Sequence, residues 1–246
     1  MSCFPCRRVT MKNYWIPDRN KDESNADYTY RVLRQNILKL NLTPGEVINE
    51  KDWADLLSES RTPVHEAINR LETENLCVII PRKESRISKI SLSLVNEWLF
   101  VRCNIEPALI SSIAGNLSKD DIAFFRQNLE RQRDVLNNES AEDRILFFQY
   151  DDAFHKHFYY AANKAITYRF VSSVCGHFDR VRYMIRLLGE HDLESSSYKH
   201  HCDIFQMLCF GVEDRAAMEE EYRYHISAFG SKLALIMEKY PDYFMD

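Results

Sequence analysis

The sequence predicts a mostly α protein, with an N-terminal winged helix-turn-helix followed by an all-α antiparallel helical bundle. Three observations lead there. Apolar residues recur at helical spacing along most of the 246 residues, and six glycines leave room for few tight turns. Near residues 77–90 that period gives way to two short strand-like runs. The stretch Ser60–Arg70 (S-R-T-P-V-H-E-A-I-N-R) has two unlike faces. Val64, Ala67, Ile68 and Leu71 form an apolar arc, while Arg61, His65 and Asn69 lie opposite, flanked by Glu66 and Arg70. One face suits a core, and the other presents groups that bond to base edges and phosphates.

Residues 1–26 mix charged and polar types without periodicity and read as a flexible leader. Cys3-Phe-Pro-Cys6 is a lone C-x-x-C with no second pair, too little for a metal or redox site. A helix is expected over Asp27–Leu40, with Tyr30, Leu33, Ile37 and Leu40 on one face and Arg31 and Arg34 outside it. Leu42-Thr-Pro-Gly45 makes a turn, and Asn49 opens a second helix carrying Trp53, Leu56 and Leu57. Thr62 is placed to cap a third helix, with Pro63 at its first position, ending near Asn75. Cys77–Ile80 and Arg86–Ile90 then read as a hairpin with a charged tip at Pro81–Ser85, the wing. The reader domain is thus expected over 27–91.

Its residues carry a resemblance. Tyr30, Leu33-Arg34, Ile37, Pro44-Gly45, Glu50, Ala54, Ser60-Arg-Thr-Pro-Val64, Glu66-Ala67, Arg70-Leu-Glu72 and Leu76 resemble the reader domain of the GntR family of bacterial transcription regulators. The resemblance implies binding of double-stranded operator DNA, with Arg34 and Arg61 contacting DNA and Thr62 on the phosphates. The two-faced helix adds Ser60, His65, Asn69 and Arg70 to the expected interface. The sequence departs from the family at His65, where arginine is usual, at Ser58-Glu59 in place of Gly-Val, and at Glu84 in place of a wing-tip glycine. Imidazole cannot make the bidentate contact of a guanidinium, so an unusual operator is expected.

Residues 92–246 are expected to be helical throughout, over Leu94–Asn116, Lys119–Asn138, Ala141–Ala162, Ile166–Leu188, Ser195–Phe210 and Asp214–Tyr240. Ser118 and Asp121 form a capping box, and Pro107 should kink the first of these helices. Lys plus Arg against Asp plus Glu is 15 to 13 over residues 1–91 and 17 to 24 over the remainder, so acidic character is concentrated in the bundle. No apolar run is long enough to span a membrane, and seven scattered cysteines point to reduced thiols in a cytoplasmic protein.

Asp151 and His155 stand one helical turn apart among Phe147, Phe148, Phe154 and Phe158, so both are expected to be buried. A buried carboxylate and imidazole need a partner or a metal. His201 and His225 on later helices could complete a divalent site, although an Asp–His hydrogen bond is the commoner use of this spacing. His157, His177, His191 and His200 compete for the same role.

Arg102-x-x-x-Glu106, Asp151-x-x-Phe-His155 with Asn163, His201-x-x-Ile204, Asp214 and His225-Ile226 resemble the FCD ligand-sensing domain of the FadR subfamily. That resemblance implies that Asp151, His155, His201 and His225 hold a divalent ion, zinc or nickel foremost. It also implies a small carboxylate effector (a sugar acid, hydroxy acid or dicarboxylate) bound by Arg102, Asn163 and an arginine of Arg180-Val-Arg182, here Arg182. A purely intrahelical Arg102–Glu106 pair is the competing role. Together the readings describe a homodimeric DNA-binding regulator, most often a repressor in such families. The rival readings are a bundle that only dimerises and a metal-dependent hydrolase, but no H-E-x-x-H or G-x-S-x-G supports the latter.

Overall fold

The structure, a computed structural model, describes residues 14–137, 141–188 and 192–245. Cys3, Cys6 and His191 lie outside the described residues. The chain divides into two compact units, Met1–Lys89 and Ile90–Asp246.

The first unit contains α1 (Asn25–Leu38), β1 (Val47–Ile48), α2 (Glu50–Leu57), α3 (Arg61–Thr73), β2 (Cys77–Ile80) and β3 (Glu84–Ile87). The strands pair antiparallel in the order β1-β3-β2. Ser24 caps α1 by accepting the Asp27 N–H, and Asn49 caps α2 by accepting from Lys51 and Asp52. Val64, Ala67, Ile68 and Leu71 of α3 are fully buried against Val32, Leu33 and Ile37 of α1, as their spacing requires. Ser60, not Thr62, occupies the N-cap of α3, and it makes no side-chain cap bond. Pro63 is therefore the third helical residue, where its missing N–H is still free of an intrahelical partner.

The leader is corrected over its described part. Tyr14 packs on Trp53 with ring centroids 4.7 Å apart, and the buried Asn36 exchanges hydrogen bonds with both backbone groups of Trp15. Aromatic residues, overlooked among the charges, dock this segment. The wing is also shorter than expected. Glu84 and Ser85 belong to β3, Arg82 takes the left-handed turn position at φ 60°, and Glu84 is paired with Arg86 at 2.6 Å. Ile90 is not part of the hairpin.

At Ser58 a left-handed residue ends α2 (φ 56°), with the Glu59 N–H bonded to Ala54 O. A Cβ is disfavoured there. Ser58→Gly is therefore expected to stabilise the protein by about 1 kcal/mol, read as a higher denaturant midpoint at unchanged slope.

The second unit is a helical bundle of α4 (Leu92–Ile113), α5 (Lys119–Leu136), α6 (Ala141–Ala161), α7 (Ala165–Ser172), α8 (Gly176–Leu187), α9 (Asp192–Phe210), α10 (Arg215–Ser227) and α11 (Gly230–Lys239). A two-stranded parallel pair joins β4 (Ile90–Ser91) to β5 (Phe244–Met245). The capping box at Ser118 and Asp121 is present, and α4 runs on through Pro107. Two of the expected long helices are each divided, at 173–175 and at 228–229. α4 packs on α6, α8 and α10, and α5 on α6 and α9, around Phe125, Phe154, Phe158 and Leu208. That arrangement brings the inner faces of α4, α5, α6, α9 and α10 together.

Candidate metal centre and nucleic-acid interface

Three histidines from three helices meet in the bundle. His155 of α6, His201 of α9 and His225 of α10 are 5%, 0% and 6% exposed. His155 Nε2 lies 3.2 Å from His201 Nε2 and 3.3 Å from His225 Nε2. Each offers a nitrogen within 4.8 Å of the others, and they form the potential metal-holding cluster found among the described residues. Asp151 borders them, with Oδ1 3.4 Å from His201 Nε2 and 4.0 Å from His155 Nε2. Its Oδ2 is held by Arg182 at 2.6 Å.

The protonation of the rings follows from their outer partners. Asn128 Nδ2 donates to the Tyr150 carbonyl at 3.0 Å, which leaves Asn128 Oδ1 to accept from Gln132 Nε2 at 2.7 Å. Gln132 Oε1 must then accept from His201 Nδ1–H, 2.7 Å away. The His201 Nε2 facing the centre therefore carries a lone pair. Burial drives the pKa of His201 down to about 3, and it lowers those of His155 and His225 as well, so the rings are neutral. His155 Nδ1 lies 2.9 Å from Glu106 Oε2. Burial would raise the Glu106 carboxyl, but Arg102 and His155 outweigh it and hold it at about 2. Glu106 is thus an acceptor for Nδ1–H, and His155 Nε2 also presents a lone pair inward.

Two lone pairs 3.2 Å apart repel unless a cation stands between them. A tetrahedral zinc with Zn–N of about 2.0–2.1 Å separates its ligand atoms by about 3.3–3.4 Å. The 3.2, 3.3 and 3.4 Å separations here fit that donor set. Carboxylate- and amide-backed imidazoles are also the usual outer support of a metal ligand. Gln132→Leu is expected to weaken metal binding about 10–100-fold by chelator competition, whereas Gln132→Glu, which keeps the acceptor, retains it.

Glu106 and Gln132 went unrecognised as supports in the sequence. Asn128 and Gln132 lie on the same buried arc of α5 as Phe125 and Leu129, and polar amides on an apolar arc are the signal that could have found them. Tyr222, which bonds to Glu106 and lies 3.0 Å from His155 Nδ1, carried no such signal. The competing histidines are accounted for within the described residues. His157 pairs with Asp121 at 2.8 Å, and His177 Nδ1 accepts the Ser91 N–H at 2.9 Å. His200 is adjacent to the triad but outside it.

A cavity of about 60 Å³ opens beside the triad, with Arg102, Asp151, His155, Arg182 and His225 on its polar side. Arg102 bonds Glu106 through Nε at 2.9 Å, so the intrahelical pair exists and lines the cavity as well. Burial would lower the pKa of Arg182, but Asp152 and Asp151 raise it above the ordinary value. Asn163 is corrected. It is exposed, lies outside that lining and adopts φ 57°. The N–H groups of Asn163 and Lys164 bond back to Tyr160 O and Tyr159 O, so its role in the structure is to terminate α6.

In the first unit α3 exposes Arg61, Thr62, His65 and Asn69 together, with Ser60 just ahead of them. His65 Nδ1 is held by Glu50 of α2 at 2.9 Å. Arg70 pairs with Asp27 at 2.6 Å and lies 3.9 Å from the Tyr30 ring centroid. Arg34 is largely covered and pairs with Glu74 at 2.9 Å. Both of those arginines already hold a carboxylate, whereas Arg61 is in no ion pair among the described residues. Glu59, a departure from the family pattern, is held by Arg19 and Asn25.

Comparison with known proteins agrees with both units. The FCD domain pattern matches residues 97–228, and the pattern described as bacterial regulatory proteins, gntR family, matches residues 25–87. The chain is 28% identical over 217 residues to the HTH-type transcriptional repressor RspR of Escherichia coli K12, covering 88% of this chain and 92% of that protein. It is 29% identical over 224 residues to an HTH-type transcriptional regulator of Streptomyces ambofaciens, covering 90% of each. Among solved structures, E. coli McbR/YncC superposes with a TM-score of 0.67 at 17% identity, covering 89% of this chain and 99% of that one. A GntR regulator of Rhodococcus sp. RHA1 gives 0.59 at 16% identity, covering 88% and 99%. With a reader and a bundle that each match, the chain belongs to the GntR family of DNA-binding transcription regulators that carry an FCD domain, and is not an enzyme.

Proposed function

We propose that this regulator is a cytoplasmic homodimer, acting as a repressor, whose bundle senses a small organic acid through a divalent metal held by His155, His201, His225 and Asp151. The observation that supports this most is the pair of inward lone pairs on His155 and His201, fixed by Glu106 and Gln132. Zinc or nickel suits nitrogen-rich sets of this kind. The metal supplies a positive centre for one carboxylate oxygen. Arg182 and Arg102 bind and orient the acid from the protein side. Apolar residues exposed on α7, Ile166 and Phe170, offer surface to a second copy. A dimer would read half-sites about one helical turn, or a small multiple, apart.

Contacts within the second unit lead from Arg182 to the segment that follows the first unit. α8 carries Phe178 and Arg182 on the cavity, and His177 beside them holds the Ser91 N–H. Ser91 in turn caps α4 and pairs with β5. An acid that draws Arg182 from Asp151 and Asp152 therefore acts on the helix that holds the segment immediately after the first unit. Only a ligand with unequal affinity for the two arrangements shifts their balance.

Mobility-shift titration of zinc-loaded protein on DNA upstream of its own gene, at fixed salt, tests this reading. A sensed acid changes operator affinity about 5–150-fold. If no organic acid changes it, the sensor reading fails. His177→Leu is expected to keep zinc and operator binding while losing most of the acid's effect, checked in the same titration with zinc content measured alongside.

A further inference from the structure

The bundle cavity is lined by both charged and aromatic residues. Beyond the triad and its arginines, the lining is Phe147 and Phe148 of α6, Phe178 and Ile185 of α8, Ile226 of α10 and Phe229 before α11. Phe178 and Phe229 meet edge to face at 5.2 Å, and Phe147 and Phe148 at 6.1 Å. Rings set this way offer faces and edges to a further apolar group. The Arg182 guanidinium lies 4.6 Å from the Phe148 ring and 5.5 Å from that of Phe178. The cation that would meet a carboxylate therefore stands at the mouth of a phenyl-lined slot.

We infer that the acid this site receives is a monocarboxylate with a compact aryl or branched-alkyl body, not a polyhydroxy or dicarboxylic acid. The inference rests on the sensor reading above and narrows it to one ligand class. Hydroxyl groups of a sugar acid that reached the phenyl and isoleucine part of the lining would exchange water for surface that offers no hydrogen bond, which disfavours their entry there. Ser197 and Glu194 are the remaining polar lining residues, and Glu194 places a carboxyl, not a cation, on the wall. Both arginines are already matched, Arg102 by Glu106 and Arg182 by Asp151 and Asp152. A second ligand carboxylate would have no unshared cation to meet. The cavity of about 60 Å³ is smaller than the roughly 150 Å³ apolar cavity that accepts benzene. One ring or a short branched chain is therefore the upper limit of the body it receives.

Isothermal titration of the zinc-loaded full chain compares benzoate and 3-methylbutanoate with gluconate and tartrate. The apolar acids are expected to bind at least tenfold tighter than the polar pair. Phe148→Asn and, separately, Phe229→Ser should each weaken the better apolar acid at least tenfold, with folding checked by circular dichroism. Tighter binding of gluconate or tartrate overturns the inference and leaves the sensor reading standing. Unchanged benzoate and 3-methylbutanoate binding in both folded variants also overturns it, because the acid then lies elsewhere. If neither class binds while zinc remains in place, the sensor reading fails and the inference with it.

Discussion

Zinc added to chelator-stripped protein, at about 1,000 times its dissociation constant, is expected to raise the melting temperature by about 8–16 °C. A ligand that binds only the folded state at that excess contributes about 4 kcal/mol. For a chain of this size each kcal/mol moves the midpoint by about 2–4 °C. The effect should be large if the proposed site holds the ion. His155, His201 and His225 come from α6, α9 and α10, so one cation would tie three helices at a point where the His155 and His201 rings otherwise oppose lone pairs. The apo protein keeps the outer bonds to Glu106 and Gln132 but not the charge they prepare for. Differential scanning fluorimetry with zinc, nickel and magnesium measures this. Magnesium, which prefers oxygen ligands, should give little shift.

Arg61→Ala is expected to cost about 1–3 kcal/mol of operator binding, or roughly 5–150-fold, with selectivity over unrelated DNA falling as well. Arg61 is the first residue of α3, exposed, and in no ion pair among the described residues. Arg34 and Arg70 differ, since Arg34 pairs with Glu74 in a largely covered position and Arg70 pairs with Asp27 at the surface. Alanine at Arg34 or Arg70 would lower both stability and binding, so Arg61 gives the cleaner reading. Fluorescence anisotropy at two salt concentrations separates the loss of a base contact from the loss of a phosphate contact. Equal affinity and selectivity for the alanine variant would remove α3 as the reading helix. His65 stands in the middle of the same face with its Nδ1 bridged to Glu50.

Much of this architecture was legible because helical burial leaves a periodic trace. The arc of Val64, Ala67, Ile68 and Leu71 and the capping signals at Asn49 and Ser118 appear where the residue types place them. The breaks at 173–175 and 228–229 were not legible, since apolar spacing continues across both and each helix resumes within three residues. β1 and β5 are two residues long, too short for any alternation to register. At the site, Asp151 and His155 share a helix face and so announce themselves. The supports do not, because Gln132 and His201 are 69 residues apart and meet only through the packing of α5 on α9. Asparagine serves equally as a polar ligand and as a left-handed helix terminator, so its type alone could not show that Asn163 lies exposed, outside the cavity lining and at φ 57° at the end of α6.

The most direct measurement of the central claim is the metal content of the protein, purified without a histidine tag, reconstituted with zinc and passed through gel filtration. About one zinc per chain is expected in the parent and almost none in the His201→Ala/His225→Ala double variant, with the reader still folded. Zinc retained by the double variant, or none held by the parent, would contradict it.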